Sequence, residues 1–173
     1  AEVKRSVSVP VSVKLSPFYA KPLNLIKKMD EAGADGFVLF NRFFQPDIDV
    51  SREKESMNFN ISNEGDHRLP LRFAGLLYDS IGADICASSG IFEGKDAARL
   101  ILAGAACVQV VSALYRNKPS HMGKMIKDFS SWMEDKGYGS LEDFRGKLSK
   151  KNSRDPFAYE RSQYVSMLMN PEP

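Results

Sequence analysis

Small polar residues follow two apolar runs at the point where each run ends. Ile85-Cys86-Ala87 leads into Ser88-Ser89-Gly90-Ile91, and residues 106–111 lead into Ser112-Ala113-Leu114 after a helix-like segment. Backbone N–H groups at such loops, together with a helix N-terminus, attract an anion. This pattern therefore indicates a phosphate site made of two neighbouring loops. Small-residue strand ends also occur in α/β proteins that bind no phosphate.

Apolar periodicity divides the chain into alternating strands and helices. Short continuous apolar runs, typical of parallel strands buried on both faces, alternate with segments of helical apolar spacing. The predicted strands cover residues 7–15, 36–41, 83–87 and 106–111. The predicted helices cover residues 22–32, 69–81, 93–103 and 120–136, and a short helix begins at Ser140. The core-facing stripe of the fourth helix would be Met122, Met125, Ile126, Phe129 and Trp132.

This order gives four β/α units in sequence, followed by extra helices. Parallel strands joined by helices form either an open doubly wound sheet or a barrel. No Gly-x-Gly-x-x-Gly pattern follows the first strand, which disfavours a dinucleotide-binding sheet. A complete barrel needs eight such units in about 250 residues and often binds phosphate after its last two strands. Because the chain has half of these units and starts without Met just before a core strand, we interpret it as a fragment, the C-terminal half of a TIM (β/α)8 barrel.

Two regions fall outside this periodic pattern. Residues 42–68 form a long polar insert, and connections of this length are usually functional or mobile. The half barrel is predicted to occupy residues 1–148. Residues 149–173 are predicted to form a polar C-terminal tail that is partly helical and, beyond Lys147, loosely held.

Composition and charge narrow the class of partner. The 173 residues are 43% apolar and 27% charged, an ordinary balance for a globular α/β protein. The 24 basic and 22 acidic residues leave a net charge of +2, so we expect no nucleic-acid partner. No apolar run approaches the roughly 20 residues that span a bilayer, and the N-terminus has no signal-peptide pattern. We therefore expect a cytoplasmic protein that does not contact a membrane.

The cysteines and histidines give no sign of metal or redox chemistry. Cys86 and Cys107 lie in predicted core strands, where small buried thiols are the favoured interpretation. They form no Cys-x-x-Cys motif and no zinc-ligand cluster, so no metal site is predicted. His67 and His121 stand alone in the sequence, and we expect both at the surface.

Five segments, in order, resemble class 1 dihydroorotate dehydrogenases over about residues 7–148. They are Val13-Lys14-Leu15-Ser16-Pro17, residues 34–41, residues 89–97, residues 103–114 and the tail segment 132–147. The ordered set is specific for the FMN-binding barrel family and only moderately specific for dihydroorotate as the substrate. The resemblance implies oxidation of dihydroorotate or a related dihydropyrimidine in pyrimidine biosynthesis, with FMN as cofactor.

The resemblance also implies roles for individual residues. Lys14 matches the lysine that contacts the flavin, and its ammonium would stabilise electron density near the reduced ring. Asn41 matches an asparagine that hydrogen-bonds the pyrimidine substrate, since an amide offers both a donor and an acceptor. The alternatives are a lysine at a barrel rim and a plain strand-ending asparagine.

The two phosphate loops match the family less closely. Ser89 and Gly90 stand where the family has paired glycines, and Val111 and Ser112 stand where it has Gly followed by Ser or Thr. A valine side chain crowds the close approach of a ligand. These differences, with those just after Asn41, resemble a paralogous, dihydroorotate dehydrogenase-like branch and leave the substrate open.

The family's catalytic base, a Cys or Ser, lies in the first half of the barrel, so no catalytic residue is assigned here and we expect no turnover by the fragment. We also expect self-association, because the half barrel would expose two unpaired strand edges and an apolar inner face. Two alternatives remain. One is a non-catalytic phosphate-binding or assembly half barrel. The other is a different phosphate-binding TIM-barrel enzyme, such as an indole-glycerol-phosphate-type lyase.

Overall fold

A computed structural model of the chain describes residues 2–43, 45–56 and 61–160. Within these residues strands and helices alternate along the chain. The elements in chain order are α1 (Glu2–Ser6), β1 (Ser12–Leu15), α2 (Pro22–Glu31), β2 (Gly36–Leu39), β3 (Asp47–Asp49), β4 (Lys54–Ser56), α3 (Arg68–Leu77), β5 (Asp84–Ser88), α4 (Gly94–Ala103), β6 (Cys107–Gln109), α5 (Ser112–Arg116), α6 (His121–Asp135) and α7 (Phe157–Glu160).

The main sheet contains four parallel strands in the order β1-β2-β5-β6. Val13 pairs with Phe37, Phe37 with Ile85, and Ala87 with Val108, so the register carries straight across the sheet. Helices α2, α3 and α4 connect successive strands. The predicted α/β architecture, with four strands in sequential order, is confirmed.

The first strand is shorter than its predicted span of 7–15. Pro10 has no N–H group to donate to a neighbouring strand, and the ladder begins only at Ser12. Just before it, Val11 exchanges two hydrogen bonds with Asp35, accepting the backbone N–H at 3.0 Å and donating its own N–H to the carboxylate at 2.6 Å. Asp35, the residue before β2, therefore anchors Val11, the residue before β1.

The two faces of the sheet have different chemistry. Leu15, Phe37, Leu39, Ile85 and Ala87 alternate along the strands and are buried in one core with the helices. The other face, which would be the inside of a barrel, carries Lys14, Val38, Cys86, Ser88, Cys107 and Gln109. The expectation of an apolar inner face holds only in part, because Val38 is apolar whereas Lys14, Ser88 and Gln109 are polar.

Helix α6 packs against α4 and continues the core. Met125 is buried, and Phe129 and Trp132 contact Phe144, with the Trp132 and Phe144 ring centroids 5.1 Å apart. These contacts confirm core packing for most of the predicted stripe. Ile126 is the exception, since its side chain is 58% exposed.

The C-terminal segment differs from its predicted form. Residues 140–150 form consecutive turns, so the short helix predicted from Ser140 is absent from this described stretch. Three backbone bonds tie the segment to the body. They run from the Gly146 N–H to the Ile101 carbonyl at 3.0 Å, from the Leu148 N–H to the Leu102 carbonyl at 2.9 Å and from the Lys150 N–H to the Gly75 carbonyl at 3.0 Å. The expectation of a loosely held chain is therefore wrong for residues 148–150. Residues 161–173 of the predicted tail lie outside the described residues.

The insert contains a structure that its sequence did not predict. Strands β3 and β4 pair antiparallel, with Asp47 opposite Ser56 and Asp49 opposite Lys54. Three-residue strands of mostly charged residues have too little apolar alternation to be recognised. Residues 44 and 57–60 of the insert lie outside the described residues.

Candidate functional site

A cleft of about 370 Å³ lies at the carboxyl ends of the parallel strands. All six residues predicted for the site line this one cleft: Lys14, Asn41, Ser89, Gly90, Val111 and Ser112. They come from the ends of all four strands of the main sheet. The structure therefore brings together residues that are up to 98 positions apart in the chain, as expected where parallel strands end at one edge.

Lys14 is held at the floor of the cleft by a partner that the sequence did not reveal. Its Nζ donates to the Gln109 Oε1 at 2.8 Å, across the inner face of the sheet. The Ser88 Oγ donates to the same oxygen at 3.3 Å. Gln109 and Ser88 also line the cleft. Lys14 is exposed, and these bonds join it to a side-chain network at the strand ends.

The first predicted phosphate loop turns sharply at Ser89 and Gly90. Both residues have positive φ, at 92° and 69°, in the left-handed region that favours glycine. Gly90 is buried, and a Cβ atom there would lie 2.8 Å from the carbonyl carbon of Asp66. This loop therefore packs directly against the end of the insert.

Three backbone N–H groups in the two predicted phosphate loops have no protein acceptor in the described part of the chain. Among residues 2–43, 45–56 and 61–160, no protein acceptor hydrogen-bonds to the backbone N–H of Ser89, Gly90 or Ser112. These amides belong to residues that line the cleft. The arrangement can accept an anion without breaking a bond within the described chain.

The second loop is closed on one side by Ser62 of the insert. The Ser112 Oγ accepts the Ser62 backbone N–H at 3.0 Å and lies 2.7 Å from the Ser62 Oγ. Ser62 is buried and also lines the cleft. The neighbouring Val111 has a side chain that is 60% exposed. Ser62 is thus a second hydroxyl at the site, one that lay in the part of the chain with no recognisable pattern.

The two backbone N–H groups just before α4 are bonded within the chain. The Asp96 Oδ2 accepts the backbone N–H groups of Phe92 at 3.0 Å and Glu93 at 3.1 Å. The other Asp96 oxygen pairs with Arg99 at 2.6 Å. A carboxylate of the helix therefore occupies two backbone donors of the segment that leads into α4.

Asn41 stands at the mouth of the cleft, directly after β2. Its backbone N–H donates to the Leu15 carbonyl at 2.7 Å, which continues the pairing of β1 and β2. The preceding Phe40 is buried, with its ring edge-to-face against Phe73 at 4.8 Å. The following Arg42 forms an ion pair with Asp66, so the two ends of the insert meet beside the cleft.

Both histidines lie closer to the site than expected. His67 Nδ1 is 3.1 Å from the Gly90 carbonyl, and His121 Nε2 is 2.9 Å from the Phe92 carbonyl. Each side chain is partly buried. The prediction that they are plain surface residues is wrong, because they hold the segment that follows β5 from two sides.

Two kinds of site are absent from the described part of the chain. No group of three or more His, Cys, Asp or Glu side chains there is arranged to hold a metal ion. Nor does any helix described between residues 2 and 160 have the length and apolarity needed to cross a membrane.

A short parallel sheet with helices on one face and a cleft at the strand ends is the architecture of part of a (β/α)8 barrel. Comparison with protein families gives the assignment. The chain belongs to the dihydroorotate dehydrogenase family, whose model matches residues 1–133. The recognition of this family from its sequence motifs is thereby confirmed.

Similar proteins include the catalytic subunits of dihydroorotate dehydrogenase B (NAD(+)) from Petrotoga mobilis and Thermoplasma acidophilum. Each is 29% identical over 148 residues, which are 84% of this chain and 49% of the relative. The chain spans about half the length of these curated relatives.

Solved structures show the same fold. The DHODH of Eimeria tenella in complex with ferulenol superposes with a TM-score of 0.63 at 20% identity, covering 78% of this chain and 37% of the other. The ligand-free form of the same protein superposes with a TM-score of 0.63 at 22% identity, covering 78% of this chain and 39% of the other. The matched shares agree with a partial barrel.

Proposed function

We propose that this chain is the C-terminal, cofactor-holding part of an FMN-dependent oxidoreductase of the dihydroorotate dehydrogenase type. Its substrate would be dihydroorotate or a related dihydropyrimidine in pyrimidine biosynthesis, and its two free thiols fit a cytoplasmic setting. The observation that carries the proposal is the convergence of the six predicted site residues on one cleft. The similarity to catalytic subunits of dihydroorotate dehydrogenase B supports the same class of reaction.

The loops after β5 and β6 would hold the FMN phosphate. The N–H groups of Ser89, Gly90 and Ser112 have no protein acceptor within the described chain, and the hydroxyl pair of Ser62 and Ser112 lies beside them. Two loops of free donors around an open cleft fit a phosphate group. The tight packing behind Gly90 keeps this turn narrow.

Lys14 would supply a positive charge to the flavin from within the cleft. When bound, FMN supplies the hydride acceptor for oxidation of the C5–C6 bond of the dihydropyrimidine. The Lys14 ammonium stabilises negative charge near it, and the Gln109 amide oxygen keeps the ammonium at the cleft floor. Because Gln109 is uncharged, it positions Lys14 without neutralising it.

Asn41 would bind the pyrimidine at the mouth of the cleft. Its side-chain amide can donate to one carbonyl and accept from one ring N–H of an imide-like edge. The catalytic base of the reaction is assigned to the other part of the family barrel, so we expect no turnover by this chain alone. We expect its open strand edges to drive self-association.

The experiment that tests the proposal is a titration of the chain with FMN and, in parallel, with riboflavin, followed by flavin fluorescence. Since only FMN carries the phosphate, we expect it to bind at least about tenfold more tightly, which corresponds to about 1.4 kcal/mol. Lys14→Met should weaken the binding of both flavins. Lys28→Met, on the exposed face of α2, is the matched control and should leave the affinity for both flavins unchanged.

Three outcomes separate the alternatives. Equal affinity for the two flavins contradicts the phosphate assignment. Tighter FMN binding that Lys14→Met leaves unchanged contradicts the assigned role of Lys14. Binding of inorganic phosphate without binding of either flavin supports the non-catalytic phosphate-binding half barrel instead.

A further inference from the structure

The two cysteines of the chain are direct neighbours on adjacent strands. Cys86 of β5 and Cys107 of β6 are register partners in the parallel ladder. Paired residues on parallel strands project to the same face, and neighbouring strands lie about 4.7–4.9 Å apart. The Cα separations of disulfides range from about 4.4 to 6.8 Å. The spacing of this pair is therefore compatible with a disulfide bond.

The two thiols differ in exposure and in acidity. Cys107 is exposed, whereas Cys86 is partly buried. A hydrogen bond from Cys86 lowers the pKa of Cys107 to about 7, and the same bond raises the pKa of Cys86. The first proton thus leaves the pair near neutral pH, and the second stays on Cys86 between the sulfurs.

The charged groups around the pair are few. Asp84, on the same strand as Cys86, raises the pKa of Cys107 but less than the hydrogen bond lowers it. Lys14, on β1, lowers the pKa of Cys86. The helices α4 and α6 line the neighbouring groove with Ala, Ile, Met and Phe side chains. The thiol–thiol hydrogen bond is therefore the main cause of the acidity of Cys107.

We propose that Cys86 and Cys107 form a redox-sensitive dithiol that a low-molecular-weight disulfide such as glutathione disulfide converts into an intramolecular disulfide. Cys107 is the attacking thiol, because it is the exposed partner. Cys86 is the resolving thiol, because it lies beside Cys107 and is less accessible to a second glutathione molecule. The pair lies on the same face of the sheet as Lys14, and its exchange reaction needs no bound cofactor.

The reaction balances over two exchange steps. The Cys107 thiolate attacks one sulfur of glutathione disulfide, the S–S bond of the reagent breaks, and one glutathione thiolate leaves and takes up a proton. Cys86 then loses its proton and attacks the Cys107 sulfur, and the second glutathione leaves as a thiol. The two cysteines lose two electrons, and the glutathione disulfide gains them.

The first test treats the folded chain with glutathione disulfide and reads the product by intact mass and peptide mapping. We expect the mass to fall by two hydrogen atoms, with Cys86 linked to Cys107. In Cys86→Ser the resolving thiol is gone, so Cys107 should carry a stable glutathione adduct. A stable adduct on Cys107 of the unsubstituted chain would overturn the proposal, as would a failure of Cys107 to react.

The second test measures the rate of iodoacetamide alkylation of Cys107 against pH. We expect the half-maximal rate near pH 7 in the unsubstituted chain. Cys86→Ser keeps a hydroxyl donor and should keep this profile, whereas Cys86→Ala removes the donor and should move it toward about 8.5. At pH 7 alkylation of Cys86→Ala should be about 16-fold slower, in proportion to its smaller thiolate fraction. Identical profiles for the Ser and Ala variants would show that the hydrogen bond does not set the reactivity of Cys107.

Discussion

Replacing Gly90 with alanine tests the structural basis of the first phosphate loop. The φ angle of 69° costs an L-residue about 1 kcal/mol. The new Cβ would also meet the backbone of Asp66 and His67, with 2.8 Å to the Asp66 carbonyl carbon. Such overpacking costs a further 1–3 kcal/mol or so. We therefore expect Gly90→Ala to lower the free energy of unfolding by about 2–4 kcal/mol.

Gly137 provides a matched control for this substitution. Its φ of 73° is almost the same, but a Cβ there would have no atom within 4 Å. Gly137→Ala should therefore cost only the backbone term of about 1 kcal/mol. Urea denaturation of both variants, with the m-value checked for constancy, measures the difference. If Gly90→Ala proves as mild as Gly137→Ala, the close approach of the loop to the insert does not contribute to stability.

Three further substitutions test the core, a strand entry and a surface carboxylate. Phe144→Ala removes a ring whose centroid is 4.9 Å from that of Tyr138. Urea denaturation should show that the free energy of unfolding falls by about 3–5 kcal/mol. A fall of less than about 1 kcal/mol would contradict core packing of this ring. Asp30→Ala removes the acceptor of the Ala83 backbone N–H at 2.8 Å and should lower the unfolding free energy by about 1–3 kcal/mol, with Asp30→Asn intermediate. Backbone N–H groups of the preceding turn lower the pKa of Asp143 in the folded chain. The Asp143 carboxylate therefore stabilises the fold fully above its pKa in the unfolded chain, about 3.9. This stabilisation is lost as the pH falls through the lower pKa of the folded chain. The stability difference between the unsubstituted chain and Asp143→Asn should therefore shrink between pH 6 and pH 3 in thermal melts, and a difference independent of pH would contradict the hydrogen-bonded carboxylate.

Much of the fold follows from apolar periodicity. The apolar runs around Phe37 and Ile85 are continuous because both form central strands of the sheet, with helices packed on one face. Both strands lie within two residues of their predicted bounds. Helix α2 begins at Pro22, as predicted, because proline is tolerated in the first turn. The convergence of the six site residues also follows, since parallel strands end at one edge.

The parts that could not be predicted depend on contacts between distant residues. Gln109 sits in an apolar run and looks like any strand residue until Lys14, 95 positions away, reaches it. Ser62 belongs to an insert without periodicity, and its partner Ser112 is 50 positions further on. His67 is recognisable only through its bond to the Gly90 carbonyl. A single sequence carries no signal for such pairs.

The insert contributes to the candidate site, although its sequence has no helical or strand periodicity. Ser62 bonds to Ser112 of the second loop, and His67 bonds to Gly90 of the first. Arg116 of α5 donates to the Asn63 side chain at 2.6 Å. One short segment, residues 62–67, therefore spans both predicted phosphate loops and fixes their separation.

Ser89 and Val111 stand where similar sequences have glycine, and the two residues differ in backbone conformation. Ser89 has a φ of 92°, so a backbone conformation that favours glycine persists at a position occupied by serine. Val111 has a φ of −130°, outside the left-handed region that favours glycine. The valine can affect a ligand only through the bulk of its side chain, which is exposed at the cleft. The loop that carries the backbone strain is thus also the one braced by His67 and by the close approach at Gly90, which accounts for its shape in the absence of a second glycine.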